Sequence, residues 1–289
     1  MDSPVEVRID PADAQHLYVV QGVRGATQGF WVSHDGGNTW AQPPGFIAAA
    51  KQIGTADVTT LTVDPSDFKH MLVGSHSWWK GLQNGGILET KDGGETFTLH
   101  QPVTSWAGGS MGIQFLYDPC QGIGDSNTWL VSTDGPGAFW RTTDAGANWT
   151  HLDGSLNGLH GQASLYYAKT GVVYSGASQY PIRSKDNGVT WEKLSTLSYA
   201  SYMGIMGDGN SIYTLKSCAC GGGALPSPGA GDQPYATSPE TDGLTWTAYK
   251  GGAQKFGNGP LAMAFDPVNR IMYSANWQWG IWALKVVDP

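Results

Sequence analysis

The chain has 289 residues, of which 41 are glycine and 13 tryptophan, and only 14% are charged. A net charge of -8 with no cluster of lysine or arginine argues against nucleic acid or an anionic membrane as partner. No run of 18 apolar residues is present, so no segment reads as a membrane-spanning helix.

Taken in chain order, the strand-like runs repeat. The first ends at Asp10-Pro11 and is followed by His16-Leu-Tyr-Val-Val20 and Gly29-Phe-Trp-Val32. The last of these enters the phrase Ser33-His-Asp35-Gly-Gly37-Asn-Thr39-Trp40. The same order returns in Leu61-Thr-Val63, Asp64-Pro65, Met71-Leu-Val73, Gly86-Ile-Leu88 and Thr90-Lys-Asp92-Gly-Gly94-Glu-Thr96-Phe97. Asp118-Pro119 and Trp129-Leu-Val131 then lead to Thr142-Thr-Asp144-Ala-Gly146-Ala-Asn148-Trp149. A fourth phrase runs from Ser184 through Asp186 and Gly188 to Trp191, and a worn fifth ends at Gly243-Leu-Thr245-Trp246. The chain closes with Met263-Ala-Phe265, Asp266-Pro267, Ile271-Met-Tyr273 and Gly280-Ile-Trp-Ala-Leu284.

Proline presets φ and cannot donate into a ladder, so each Asp-Pro marks the turn between two strands. The glycine of each phrase supplies the turn between a third and a fourth strand. The closing aromatics lie 57, 52, 42 and 55 residues apart, a period that denotes an array of small sheets. The expectation is an all-β protein, a β-propeller of four-stranded antiparallel blades forming one domain over 1–289. Six units begin near residues 5, 58, 112, 162, 202 and 260, with five to seven blades as the range, and the last unit has three strands.

The phrase Ser/Thr-x-Asp-x-Gly-x-Thr-Trp resembles the Asp-box, or bacterial neuraminidase repeat. Together with the "Val-Asp-Pro" strand it looks like the blades of sialidases and, more closely, of the two-propeller xyloglucan-degrading glycosidases. The resemblance covers about 250 residues and implies a fold shared by unrelated activities. Asp35, Asp92, Asp144 and Asp186 stand one per unit and are expected to fix their own turns rather than form a site.

Function is therefore expected on the opposite rim, where loops join strand 2 to strand 3 and one blade to the next. His76, His100 and His160 fall in those loops, with Trp78, Trp79, Trp106, Trp277 and Trp279, Arg24 and Lys80. Tryptophan faces suit the apolar C–H surfaces of sugar rings, and the reading is a secreted, carbohydrate-active propeller. Elimination at a uronate needs a base, an acid and a cation, for which His76, His100, His160 and Tyr166 with Arg24 or Lys80 are candidates. Hydrolysis needs two carboxylates, and the loop face offers Asp57, Asp134, Asp153 and Asp232. A polysaccharide lyase is thus the first expectation, a xyloglucanase- or sialidase-like hydrolase the second, and a non-catalytic glycan- or protein-binding propeller the third.

No metal or cofactor is expected; Cys218-Ala-Cys220 lacks the second half of a zinc pattern, and Cys120 completes an odd set of three. Asn148-Trp149-Thr150 fits a glycosylation acceptor. The expected partner is a polysaccharide or oligosaccharide, met by a monomer in an extracellular or periplasmic setting. Met1-Asp2-Ser3-Pro4 reads as a mature or trimmed start without a signal peptide.

Overall fold

A computed structural model describes residues 4–23, 25–103, 106, 111–159, 164–217, 234–250, 257–276 and 280–286. The fold is a six-bladed β-propeller, and the blades are antiparallel sheets in chain order. Blade 1 has strands Glu6–Ile9, Leu17–Gln21 and Gly29–Ser33. Blade 2 has Val58–Asp64, Asp67–Ser75, Ile87–Thr90 and Thr98–His100, and blade 3 has Gly112–Phe115, Trp129–Ser132, Phe139–Thr142 and Thr150–His151. Blade 4 comprises Leu165–Tyr167, Val173–Ser175, Ile182–Ser184 and Glu192–Lys193. Blade 5 comprises Ile205–Gly207, Ser211–Thr214, Ala236–Pro239 and Thr247–Ala248. Blade 6 has three strands, Pro260–Asp266, Ile271–Asn276 and Gly280–Lys285. Two compact units carry them, with blades 1 to 3 in the first and blades 4 to 6 in the second.

The strands alternate, so each blade has two faces with different partners. In the first unit Tyr18, Val20 and Phe30 of blade 1 pack on Leu61, Met71, Val73 and Leu88 of blade 2. Leu72 and Ile87 leave the other face of blade 2 and meet Ile113, Phe115, Trp129, Val131 and Trp140 of blade 3. In the second unit Met206 and Tyr213 of blade 5 meet Met263, Phe265, Met272, Trp282 and Leu284 of blade 6.

The repeated phrase is held by hydrogen bonds. Asp35 accepts the Thr39 N–H at 2.8 Å and the Thr39 hydroxyl at 2.6 Å, while the Ser33 hydroxyl oxygen accepts the Gly37 N–H at 2.8 Å. The same set recurs at Asp92, at Asp144 with Asn148 replacing the threonine, and at Asp186. Those bonds, led by the Thr39 side chain, lower the Asp35 pKa to about 2. The indole N–H of Trp40 donates to Gly37 O at 2.9 Å, so the aromatic closes the turn it follows.

Blade 1 departs from the expected pattern. Its fourth strand shrinks to a single bridge between Val32 and Ala41, and a helix, Pro44–Ile53, follows in the connection to blade 2, where a loop between blades was expected. Proline fits the first turn of a helix, and Phe46, Ala49 and Ile53 bury one stripe. Gly54 ends the helix in the left-handed region at φ 81°, its N–H donating to Ala50 O. The helix was missed because Ala48-Ala49-Ala50 gives little amphipathic contrast among so many strand signals.

Candidate functional site

The best-defined polar cluster on the loop face is built at the entry to blade 2. Asp57 precedes its first strand, and His76 and Ser77 follow its second. His76 N–H donates to Asp57 O at 2.9 Å, which ties the two strand ends together. The Asp57 carboxylate then accepts three bonds: His76 Nδ1 at 2.8 Å, the Ser77 hydroxyl at 2.6 Å and the Val23 N–H at 2.6 Å. Val23 comes from the blade 1 loop and sits at φ 65°. Gly22 beside it is required by contact, since a Cβ there would lie 2.5 Å from Asp57 Oδ1 and 2.5 Å from Val58 O.

Burial pushes the Asp57 carboxyl up, but the bonds from His76, Ser77 and Val23 outweigh it and hold the group below its ordinary value. An ionised Asp57 can only accept, so Nδ1 of His76 carries the proton and the ring is fixed in orientation. Ser77 donates to the same carboxylate as His76 does. It is therefore not a nucleophile activated by that histidine.

The next residues divide by burial. Trp78 is 55% exposed, whereas Trp79 is 2% exposed and donates its indole N–H to Ser75 Oγ at 2.6 Å. Trp79 belongs to the core between blades 1 and 2, alongside Phe46 and Ile53. Lys80 is exposed, and its backbone N–H donates to Ile53 O at 2.6 Å, closing the helix end. The candidate site at this rim is thus the polar cluster of Asp57, His76 and Ser77, followed in sequence by the exposed Trp78.

Of the other expected site residues, those among the described residues do not join it. Trp106 is 2% exposed and stacks edge-on against Trp149 at 5.2 Å, so it offers no face to a sugar. His100 ends the fourth strand of blade 2, but its ring turns into the junction with blade 3. There Nε2 meets Glu89 Oε2 at 2.9 Å and the ring lies 5.2 Å from Trp129. Tyr166 lies in the second unit, where its hydroxyl donates to Glu240. Burial first, then that carboxylate, raise its pKa well above the ordinary tyrosine value, which is the wrong direction for a proton donor at neutral pH. Arg24, His160, Trp277 and Trp279 lie outside the described residues, as do Cys218, Cys220 and Asp232. Asp153 caps its own turn, accepting from Ser155 N–H and hydroxyl at 2.8 Å each.

A polar chain that the sequence reading did not single out runs through blade 2. Asp64 Oδ2 meets His70 Nδ1 at 2.9 Å, and His70 Nε2 meets Glu89 Oε1 at 2.9 Å. Both nitrogens therefore face carboxylates and both must donate, which requires the imidazolium. Burial pulls the His70 pKa down, but Asp64 and Glu89 outweigh it and lift it to about 9. The signal was Glu89 itself, an acid inside the apolar run Ile87-Leu88-Glu89-Thr90. Among the described residues no group of three or more histidine, cysteine or acidic side chains is placed to hold a metal ion.

No family model matches the sequence. A probable oligoxyloglucan-reducing end-specific xyloglucanase of Neosartorya fischeri is 27% identical over 205 residues, 70% of this chain and 23% of that protein. A xyloglucanase of a Paenibacillus species is 25% identical over 236 residues, 79% of this chain and 21% of that protein. The chain thus spans about a fifth of the length of these curated relatives. Among solved structures, a GH74 enzyme of Niastella koreensis superposes with a TM-score of 0.67 at 20% identity, covering 97% of this chain and 45% of that one. YCF48 bound to D1 peptide superposes with a TM-score of 0.62 at 16% identity, covering 98% of this chain and 77% of that one. At these identities the structural likenesses establish the β-propeller fold and nothing finer.

Proposed function

We propose that this chain is a carbohydrate-active, extracytoplasmic propeller of the Asp-box type, working as or within a glycoside hydrolase on a xyloglucan-like polysaccharide. The observation that carries this reading is the alignment of xyloglucanases with 70% and 79% of the chain. The rim at Asp57, His76 and Trp78 is where the sugar is held, with the exposed indole as platform and the ordered imidazole as polar partner. This reading replaces elimination at a uronate. His100 is spent on Glu89 and Tyr166 on Glu240, so two of the expected acid–base groups are engaged elsewhere. Asp57, kept ionised, suits a base or an electrostatic stabiliser, and hydrolysis needs a second carboxyl with a raised pKa as proton donor.

A second reading, a non-catalytic glycan-binding propeller, draws support from the same cluster, because Asp57 already accepts three hydrogen bonds. The test is incubation with xyloglucan and with a panel of uronate polysaccharides, reading reducing ends, unsaturated-uronate absorbance and retention on polysaccharide gels. Reducing ends from xyloglucan without absorbance are expected. Retention without cleavage selects the binding reading, and absorbance from any uronate polymer overturns both in favour of a lyase. Neither release nor retention on any polymer removes carbohydrate from the account.

A further inference from the structure

The loop face of the second unit repeats the device that builds the Asp57 cluster. At Asp57 the loop after strand 2 of blade 1 reaches the connection into blade 2 through the Val23 N–H, and Val23 sits at φ 65°. Later in the chain, the loop after strand 2 of blade 4 reaches the connection into blade 5. Gln179 O accepts the Ala200 N–H at 2.9 Å, and Ala177 O accepts the Tyr202 N–H at 3.0 Å. Gln179 sits at φ 80°. The other non-glycine residues with positive φ, among the described residues, belong to repeated turns: Ala145 and Asn187 in the Asp phrases, and Arg270 after Asp266-Pro267. Val23 and Gln179 are thus strained where no repeated turn requires it. Such strain persists only where surrounding contacts hold it, and it collects at ligand sites.

The contacts of Gln179 bring two tyrosines together. Tyr180 follows it directly, and Tyr199 precedes Ala200. Their ring centroids are 5.6 Å apart at 81°, an edge-to-face pair. The backbone that carries them is fixed. Tyr202 is 2% exposed and donates its hydroxyl to Ser198 O at 2.9 Å, and the Ser178 N–H donates to Asn157 O at 2.9 Å. Yet Tyr199 is 52% exposed; it and Trp78 are the two most exposed tryptophan, tyrosine or phenylalanine side chains among the described residues. Residues 176–181 and 197–203 contain no charged side chain. The pair therefore offers a preorganised aromatic surface with phenolic hydroxyls and, in these segments, no cation for a carboxylate.

We propose that Tyr180 and Tyr199 form a second sugar-binding surface, in addition to the rim at Asp57, and that it takes a neutral pyranose ring. The C–H face of the ring stacks on Tyr199, which Tyr180 holds edge-on, and the phenol oxygens meet sugar hydroxyls. The inference rests on the carbohydrate reading and deepens it with a second contact and a preference for neutral sugar over uronate.

The experiment is affinity electrophoresis of the full chain through gels containing xyloglucan or polygalacturonate, with Tyr199→Ala and Tyr199→Phe as variants and urea midpoints measured beside them. Tyr199→Ala should bind xyloglucan about five- to tenfold more weakly than the parent with its urea midpoint unchanged. Tyr199→Phe keeps the ring and should stay within about twofold of the parent. Tyr199→Ala retarded by xyloglucan as strongly as the parent overturns this inference and leaves the carbohydrate reading standing. A parent that xyloglucan does not retard removes both. A lowered urea midpoint in Tyr199→Ala would make the tyrosine a packing residue and overturn the inference, as would retardation by polygalacturonate that depends on Tyr199.

Discussion

At the scale of single residues, neighbours in sequence have opposite roles. Trp78 and Trp79 are adjacent in the chain, yet one is exposed and the other is core. Their pairing in sequence suggested a shared platform, and nothing in two adjacent tryptophans says which one the strand exit turns inward. Trp79→Ala should cost about 3–5 kcal/mol in denaturant unfolding, since it empties a buried site and strands the Ser75 hydroxyl. The same measurement on Trp78→Ala should stay close to the parent, and a large loss there would show that Trp78 is packed rather than presented. His76 and Asp57 were legible as loop-face polar residues. Their contact was not, because they are 19 residues apart and meet only once two strands are paired.

At the scale of elements, the repeated phrase and the Asp-Pro turn were readable because each is local: donors and acceptors lie within four residues of each other. The chain Asp64, His70, Glu89 and His100 was not, because it takes one residue from each of four strands. It predicts a pH dependence. His70 has a folded pKa raised from 6.5 to about 9, so its contribution is complete below 6.5 and is lost as pH rises through 9. Asp64 and Glu89 are held below their ordinary values of 3.8 and 4.5, so theirs is present above those values and fades as pH falls. Lys91, 3.2 Å from Glu89, and His100 face the same carboxylate, while the rings of Phe115 and Trp129 face the chain from blade 3. The urea midpoint should therefore peak between about pH 5 and 6.5. It should decline toward pH 9, and His70→Gln should flatten that alkaline limb. An alkaline limb unchanged in His70→Gln would mean that another group sets it.

At the scale of the whole molecule, blade number and type followed from the spacing of the phrase, and the three-stranded last blade followed from the missing final turn. The loop face offered more candidates than the polar cluster at Asp57, His76 and Ser77 brings together. The rim at Asp57, His76 and Trp78 is proposed to hold a xyloglucan-like chain. Affinity electrophoresis through gels containing xyloglucan tests it most directly, comparing the parent with Trp78→Ala. Retardation of the parent, reduced at least tenfold in affinity by Trp78→Ala with the urea midpoint unchanged, is the predicted result. Equal retardation of both proteins, or none of either, would contradict it.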